Sequence, residues 1–147
     1  VTFFYLGYSK IAPGSIASLV TTLIFYLFAK YLFFSLLIII ILVTTILSFI
    51  AVGVYTSESS EKDKSEIVID EVIGQLIALS PILLFPEYNL PEFYMCLISL
   101  LFFRFFDIVK PFPINEVDKI NSNFGVILDD ILAGFFSAIF LTLILNL

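Results

Sequence analysis

The sequence contains no histidine, and this absence removes imidazole as an acid, a base, a nucleophile or a metal ligand. Cysteine is scarce too, because the single one, Cys96, lies within an apolar run. A disulfide framework and a thiolate metal cluster are therefore excluded, and we interpret Cys96 as a packing residue.

Basic residues are also few, with 7 Lys plus Arg against 13 Asp plus Glu and a formal net charge of −6. A surface that binds nucleic acid needs a basic excess, so we expect no nucleic acid partner. Clustered acidic side chains instead indicate a site that binds a cation.

Apolar side chains are abundant: 61% of the 147 residues are hydrophobic, and the mean hydropathy is +1.12. A soluble domain contains roughly 45–50% apolar residues. The apolar runs are continuous rather than alternating, which favours membrane helices over a β-barrel. We predict an all-α, polytopic membrane protein with a single membrane-embedded domain over residues 1–147. The first residues lack the basic region of a cleavable signal peptide, so none is expected.

Five apolar segments are predicted as membrane helices, because about 20 apolar residues cross the hydrocarbon of a bilayer. They cover residues 11–29, 31–55, 67–85, 93–103 and 126–147. The polar stretch 56–66 is expected in water, and residues 112–125 are predicted as a loop.

The fourth segment continues into charged residues at three-residue intervals, namely Arg104, Asp107 and Lys110. This spacing puts the three side chains on one stripe of a helix, where Arg104 and Asp107 can pair. Pro111 and Pro113 then stop the helix. The uncharged part is short for a span, so a tilted helix and a helix whose charged end reaches the headgroups both remain open.

The basic residues predict the orientation in the membrane. With a cytoplasmic N-terminus and five crossings, Lys30 faces outward, and the cytoplasmic side holds Lys10, Lys62, Lys64, Arg104, Lys110 and Lys119. This arrangement obeys the positive-inside rule. The same orientation brings three charged clusters to one membrane face. They are Asp70 with Glu71, Arg104 to Lys110, and Asp129 with Asp130.

Each cluster alone has a simpler interpretation, because the helix dipole stabilises carboxylates at helix N-termini. Adjacent acidic pairs weaken that interpretation, since neighbouring carboxylates repel and ionisable groups in membrane segments are costly enough to indicate function. Gly74 and Gly134 each follow an acidic residue by four positions. We predict that these glycines allow close helix packing, which would bring the carboxylates together.

Several carboxylates with a few cations and no histidine suit Mg²⁺, which takes oxygen ligands and binds phosphate oxygens. A phosphoryl group can bind there if Arg and Lys offset the charge on its oxygens. A cysteine-dependent phosphatase is excluded, because the residue six positions after Cys96 is Phe102 rather than arginine. An Asp-x-Asp nucleophile motif and the CDP-alcohol phosphotransferase pattern are also missing. Attack on phosphorus by water or by an aspartate remains open.

At these same residues the chain resembles the phosphatidylglycerophosphatase A family of membrane enzymes. The matching stretches are APGSIASL (12–19), EIVIDEVIGQLIAL (66–79), FRFFDIVKPFPI (103–114) and GVILDDILAG (125–134). The resemblance implies Mg²⁺-dependent hydrolysis of phosphatidylglycerophosphate to phosphatidylglycerol and phosphate. It also implies a site on the cytoplasmic side of the bacterial inner membrane.

The resemblance further implies roles for individual residues. The catalytic residues are expected to be Glu71, as the base that orients water, with Asp107 and Asp130. The metal ligands are expected to be Asp70, Asp129 and Asp130, and the phosphate-binding residues Arg104, Lys110 and Lys10.

Two other functions fit the composition. An ion or proton transporter would place acidic residues deep in the spans, along a route across the membrane. A non-enzymatic assembly subunit would use its charges only to set topology, so neutralising Asp129 and Asp130 would leave its function intact. The partner expected on the enzymatic interpretation is a phospholipid, and the oligomeric state is open.

Overall fold

A computed structural model describes residues 13–58, 68–85, 90–120 and 123–146. These residues form helices and contain no strand, which confirms the predicted all-α class. The helices are α1 (Pro13–Phe28), α2 (Phe34–Glu58), α3 (Ile69–Leu84), α4 (Glu92–Val109), α5 (Ile114–Asp118) and α6 (Asn123–Leu145). A 3₁₀ turn, Ala29–Tyr31, follows α1.

Helix α4 ends at Val109, where the sequence predicts a stop. Lys110 caps this end in a left-handed conformation with φ 45°, which is a common way for a helix to end, and Pro111 disfavours a continuation of the helix. The prediction of a loop over 112–125 was wrong in two respects. Helix α5 forms within this range, where buried Ile114 packs in a cluster with Phe103 and Phe106 of α4. Helix α6 also begins earlier than predicted, at Asn123.

Helix α3 lies at the centre of the bundle and packs against α1, α2, α4 and α6. Gly14 of α1 approaches Glu71 at the start of α3, and Asp130 in the early turns of α6 lies beside Asp70. Helices α1, α3 and α6 therefore begin at one end of the bundle, and we call it the carboxylate end. The C-terminus of α4 reaches the same end, because Lys110 contacts Asp129.

A buried polar seam joins α3, α4 and α6 below the carboxylate end. Gln75 Nε2 donates to Ser99 Oγ at 3.4 Å, and Ser137 Oγ donates to the Ser99 carbonyl oxygen at 3.2 Å. All three side chains are fully buried. Hydrogen bonds of this kind hold helices together where lipid offers no hydrophobic drive for their association. The seam therefore helps to fix the three helices that carry the acidic residues.

Many large apolar side chains remain exposed on the outside of this bundle. Examples are Phe33 at 75%, Ile108 at 69% and Leu101 at 62% exposure. A soluble protein rarely exposes large contiguous apolar patches. Two helical stretches, Pro13–Tyr31 and Ile127–Leu145, are long and apolar enough to cross a membrane. Both observations are consistent with a membrane protein, whereas five crossings stay a prediction.

Candidate functional site

The close crossing of α3 and α6 brings the candidate site together, and two glycines permit it. A Cβ atom on Gly134 would lie 3.1 Å from the Gly74 carbonyl carbon, and one on Gly74 would lie 2.6 Å from the Asp130 carbonyl oxygen. Both distances are shorter than ordinary van der Waals contacts. The prediction that these glycines allow close helix packing is therefore confirmed.

Three carboxylates meet one helical turn away from this crossing. Side-chain oxygens of Asp70 and Glu71 on α3 and of Asp130 on α6 all lie within 4.8 Å of one another. Asp70 and Asp130 are each only 5% exposed. The predicted convergence of segments three and five is thus present in the fold, although the residues involved are 60 positions apart in sequence.

Helix α1 contributes to the site through its first turn. A Cβ atom on Gly14 would overlap Glu71 Oε1 and lie 2.9 Å from the Glu71 carboxyl carbon, so a larger residue there would displace the end of the Glu71 side chain. The positive end of the α1 dipole stabilises a negative charge placed there. Glu71 Oε2 is buried and has no hydrogen-bond partner among the described residues. One oxygen of Glu71 is therefore held by packing while the other remains available.

Helix α4 adds an ion pair, since Arg104 Nη1 lies 2.6 Å from Asp107 Oδ2. The three-residue spacing predicted that these residues can pair, and the structure confirms it. Asp107 is close enough to act electrostatically on both Glu71 and Asp130, and Arg104 acts on Glu71. Arg104 Nε is buried without a hydrogen-bond partner in the described part of the chain. The guanidinium group thus retains donor capacity beside the carboxylates.

Lys110 and Asp129 are paired with each other. Lys110 Nζ lies 2.6 Å from Asp129 Oδ2 and 2.7 Å from Asp118 Oδ1 of α5. Burial disfavours the charged lysine, but the hydrogen bonds to the two carboxylates outweigh this effect and raise the pKa of Lys110. Asp129, predicted as a metal ligand, is therefore not among the three carboxylates that converge. The sequence offered no signal for Asp118, because a loop charge has no predictable partner.

The ion triad of Lys110, Asp118 and Asp129 makes a testable contribution to stability. We expect Lys110→Met to lower the free energy of unfolding by about 1–3 kcal/mol, because it leaves the Asp129 carboxylate buried without a countercharge. A fully buried pair would lose roughly 3–5 kcal/mol, but the Lys110 side chain is 26% exposed.

The measurement is thermal unfolding in detergent of Lys110→Met, Asp129→Asn and the double variant. The double variant should recover part of the loss, since it removes both charges. Losses that simply add would show that the two side chains do not stabilise each other.

The remaining predicted site residue, Lys10, lies outside the described residues. The donor set at the carboxylate end consists of carboxylate oxygens, which are the ligands that Mg²⁺ and Ca²⁺ prefer. Three carboxylates at this spacing repel one another unless a cation or protons offset their charge. Glu71 Oε2, which is buried without a hydrogen-bond partner among the described residues, is an oxygen that such a cation or proton would satisfy. Asp70, Glu71 and Asp130 are therefore chemically suited to a hard divalent cation.

Comparison with known proteins gives consistent matches over nearly the whole chain. The model of the family described as Phosphatidylglycerophosphatase A matches residues 1–145. The phosphatidylglycerophosphatase A of Haemophilus influenzae is 31% identical over 129 residues, which cover 87% of this chain and 76% of that protein. The Escherichia coli protein of the same name is 30% identical over 140 residues, with 90% and 73% covered.

A third relative carries a different name. The Bacteroides thetaiotaomicron protein named "Putative phosphatidylinositol-3-phosphatase" is 31% identical over 137 residues, which cover 90% of this chain and 83% of that protein. No solved structure matches the chain significantly.

Proposed function

Because the chain belongs to the phosphatidylglycerophosphatase A family, and is therefore a lipid phosphatase, we propose that it hydrolyses phosphatidylglycerophosphate to phosphatidylglycerol and phosphate. The observation that carries this proposal is the convergence of Asp70, Glu71 and Asp130 within 4.8 Å. Charges gathered so closely are costly for a protein that uses them only to set its topology. A transporter would instead place acidic residues along the spans, and these three lie together at one end of the bundle.

In this proposal Asp70 and Asp130 hold a Mg²⁺ ion, and Glu71 takes the proton of the attacking water. Mg²⁺ is usually held by one or two carboxylates together with substrate phosphate oxygens, which agrees with two aspartates from facing helices. The bound ion would polarise the phosphoryl group and offset the charge on its oxygens. The free oxygen of Glu71 supports its role as the base, because it is neither hydrogen-bonded nor exposed.

Arg104 is proposed to bind the phosphate, and Asp107 to hold Arg104 in position through the 2.6 Å contact. The water oxygen forms a bond to phosphorus while the bond from phosphorus to the glycerol oxygen breaks. Glu71 accepts the water proton, and the departing glycerol oxygen takes a proton from solvent to become the hydroxyl of phosphatidylglycerol. Lys110 forms ion pairs with Asp118 and Asp129, so we propose that this triad fixes α5 beside the site.

We also propose a multi-pass arrangement in the bacterial cytoplasmic membrane, with the carboxylate end at the cytoplasmic face. The exposed apolar side chains and the two long apolar helices support membrane embedding. Among the described residues, Arg104, Lys110 and Lys119 lie at or next to this end and Lys30 follows the other end of α1, which supports the orientation, because cytoplasmic segments carry more basic residues.

The proposed function is tested by phosphate release from phosphatidylglycerophosphate in detergent micelles. We expect hydrolysis with Mg²⁺, at least a hundredfold loss with excess chelator, and recovery when Mg²⁺ is restored; about 10²-fold is the low end of what one positioned catalytic group contributes. Full activity in chelator would contradict the metal proposal and leave the phosphatase proposal standing.

The same assay should include phosphatidylinositol 3-phosphate, because one relative is named for that headgroup. Faster hydrolysis of the inositol lipid under identical conditions would overturn the proposed substrate. Hydrolysis of neither lipid would overturn the proposed reaction.

A further inference from the structure

A groove of about 430 Å³ lies between α1 and α2, and α3 forms its floor. Large apolar side chains make its walls, among them Ile24 and Phe28 from α1 and Leu36 and Ile40 from α2. Pockets that bind small molecules have volumes of roughly 300–1,000 Å³. The groove is therefore large enough to hold part of a lipid chain.

The lining of this groove suits a hydrocarbon occupant. Thr21 and Thr44 also line it, but both hydroxyls donate within their own helices. Thr21 Oγ1 donates to the Ala17 carbonyl at 2.8 Å, and Thr44 Oγ1 donates to the Ile40 carbonyl at 2.7 Å. A polar headgroup would leave its hydrogen-bonding groups unsatisfied beside this surface, which is costly. A hydrocarbon chain has no such groups.

The position of the groove links it to the carboxylate end. Its floor is formed by Val72 and Leu76, and Val72 directly follows Glu71 in α3. From there the groove follows α1 between Thr21 and Phe28, a length of about 10 Å at 1.5 Å per residue. On α1 the groove starts seven residues after Gly14, which contacts Glu71, so this wall begins about 10 Å from the carboxylate end and leads away from it.

We propose that this groove binds one acyl chain of the phospholipid substrate while the phosphate lies at the carboxylate end. The inference rests on the proposed function, because a terminal phosphate held at Asp70, Glu71 and Asp130 leaves the acyl chains one headgroup length away, where the groove lies. A chain in the groove orients the phosphate monoester toward the carboxylates. The groove therefore raises kcat/KM for substrates with long acyl chains and has no effect on kcat/KM for substrates whose chains are too short to reach it.

The test compares two phosphatidylglycerophosphates, one with dioleoyl chains and one with dihexanoyl chains. The substitutions Ile40→Phe and Ile24→Phe each fill the groove from a different wall. We expect each to lower kcat/KM for the dioleoyl substrate about tenfold, the low end of the effect of one misfitting group in an apolar pocket. Activity on the dihexanoyl substrate should stay within about twofold of wild type, which also shows that the variant is folded.

A matched control is Leu97→Phe, which fills a smaller groove of about 180 Å³ between α1 and α4. It should leave both substrates unaffected. Equal losses on both substrates in both folded groove variants, or the same chain-length effect from Leu97→Phe, would overturn the inference. So would unchanged hydrolysis of the dioleoyl substrate.

Photo-crosslinking of wild-type protein to phosphatidylglycerophosphate with a diazirine on one acyl chain provides an independent measurement. Crosslinks should map to the walls of the groove, and a pattern confined to other helix faces would contradict the inference. If the wild type hydrolyses neither lipid, the proposed function fails, and the crosslink pattern still decides whether the groove binds a chain.

Discussion

Asp130→Asn is expected to reduce phosphate release by at least about 10²-fold while making the protein more stable when Mg²⁺ is absent. Activity falls because an amide is a poorer Mg²⁺ ligand than a carboxylate and cannot offset the charge of the ion. Stability rises because Asp130 is buried beside Asp70 and Glu71, and removing one of three like charges relieves their repulsion. We expect a gain of about 1 kcal/mol, or roughly 3 °C in Tm for a chain of this size.

The measurement is thermal unfolding in detergent, with chelator and with Mg²⁺, alongside the phosphate-release assay. Wild type should be stabilised by Mg²⁺, because a ligand that binds only the folded state raises its stability, and Asp130→Asn should lose most of that response. The matched control is Glu116→Gln, since Glu116 is exposed and pairs with Lys119. Undiminished phosphate release by Asp130→Asn would show that this carboxylate is not needed for catalysis, and would overturn the proposed site while leaving the phosphatase proposal standing.

Gly134→Ala is expected to lower kcat by about 10²-fold although Gly134 carries no chemistry of its own. The added Cβ would lie 3.1 Å from the carbonyl carbon of Gly74 and closer still to its carbonyl oxygen, both of which are backbone atoms that cannot rotate away. Helices α3 and α6 must therefore separate, and Asp130 moves away from Asp70. A displacement of about 1 Å at a catalytic group can cost about 10²-fold in rate.

The same substitution should reduce stability by about 1–3 kcal/mol, the usual cost of adding a methylene to a packed core. Phe135→Leu is a suitable control, because Phe135 is the next residue of α6 and is 53% exposed. A Gly134→Ala protein with normal kcat and a normal Mg²⁺ response would show that the crossing distance does not set the geometry of the site. If Gly134→Ala loses activity because it is unfolded, its thermal unfolding curve will show no folded protein at the assay temperature.

The long apolar helices could be predicted from the sequence, whereas the short helix α5 could not. The apolar helices were predicted because the preference of an apolar run of about 20 residues for lipid does not depend on which other segments it contacts. Helix α5 was not, since five residues have little helical propensity alone. It forms because Ile114 buries itself against α4, and the ion triad of Lys110, Asp118 and Asp129 fixes its end.

Within the site, the types of residue were predicted more reliably than their partners. The pairing of Arg104 with Asp107 was predictable, because both residues lie on one helix and three-residue spacing places them side by side. The partner of Asp129 was not predictable, because Lys110 and Asp118 belong to separate elements. The contact between Gly14 and Glu71 was not predictable from the sequence either, because it depends on how α1 packs on α3.

The sequence by itself determined that the chain is helical and apolar, that its acidic residues cluster toward the charged ends of apolar segments, and that histidine and thiolate chemistry are excluded. These are properties of composition and local spacing. Only the tertiary structure decided which carboxylates share a site. Asp129 is turned toward Lys110, whereas Asp130, about 100° around the helix, faces Asp70 because Gly74 and Gly134 let α3 and α6 cross closely.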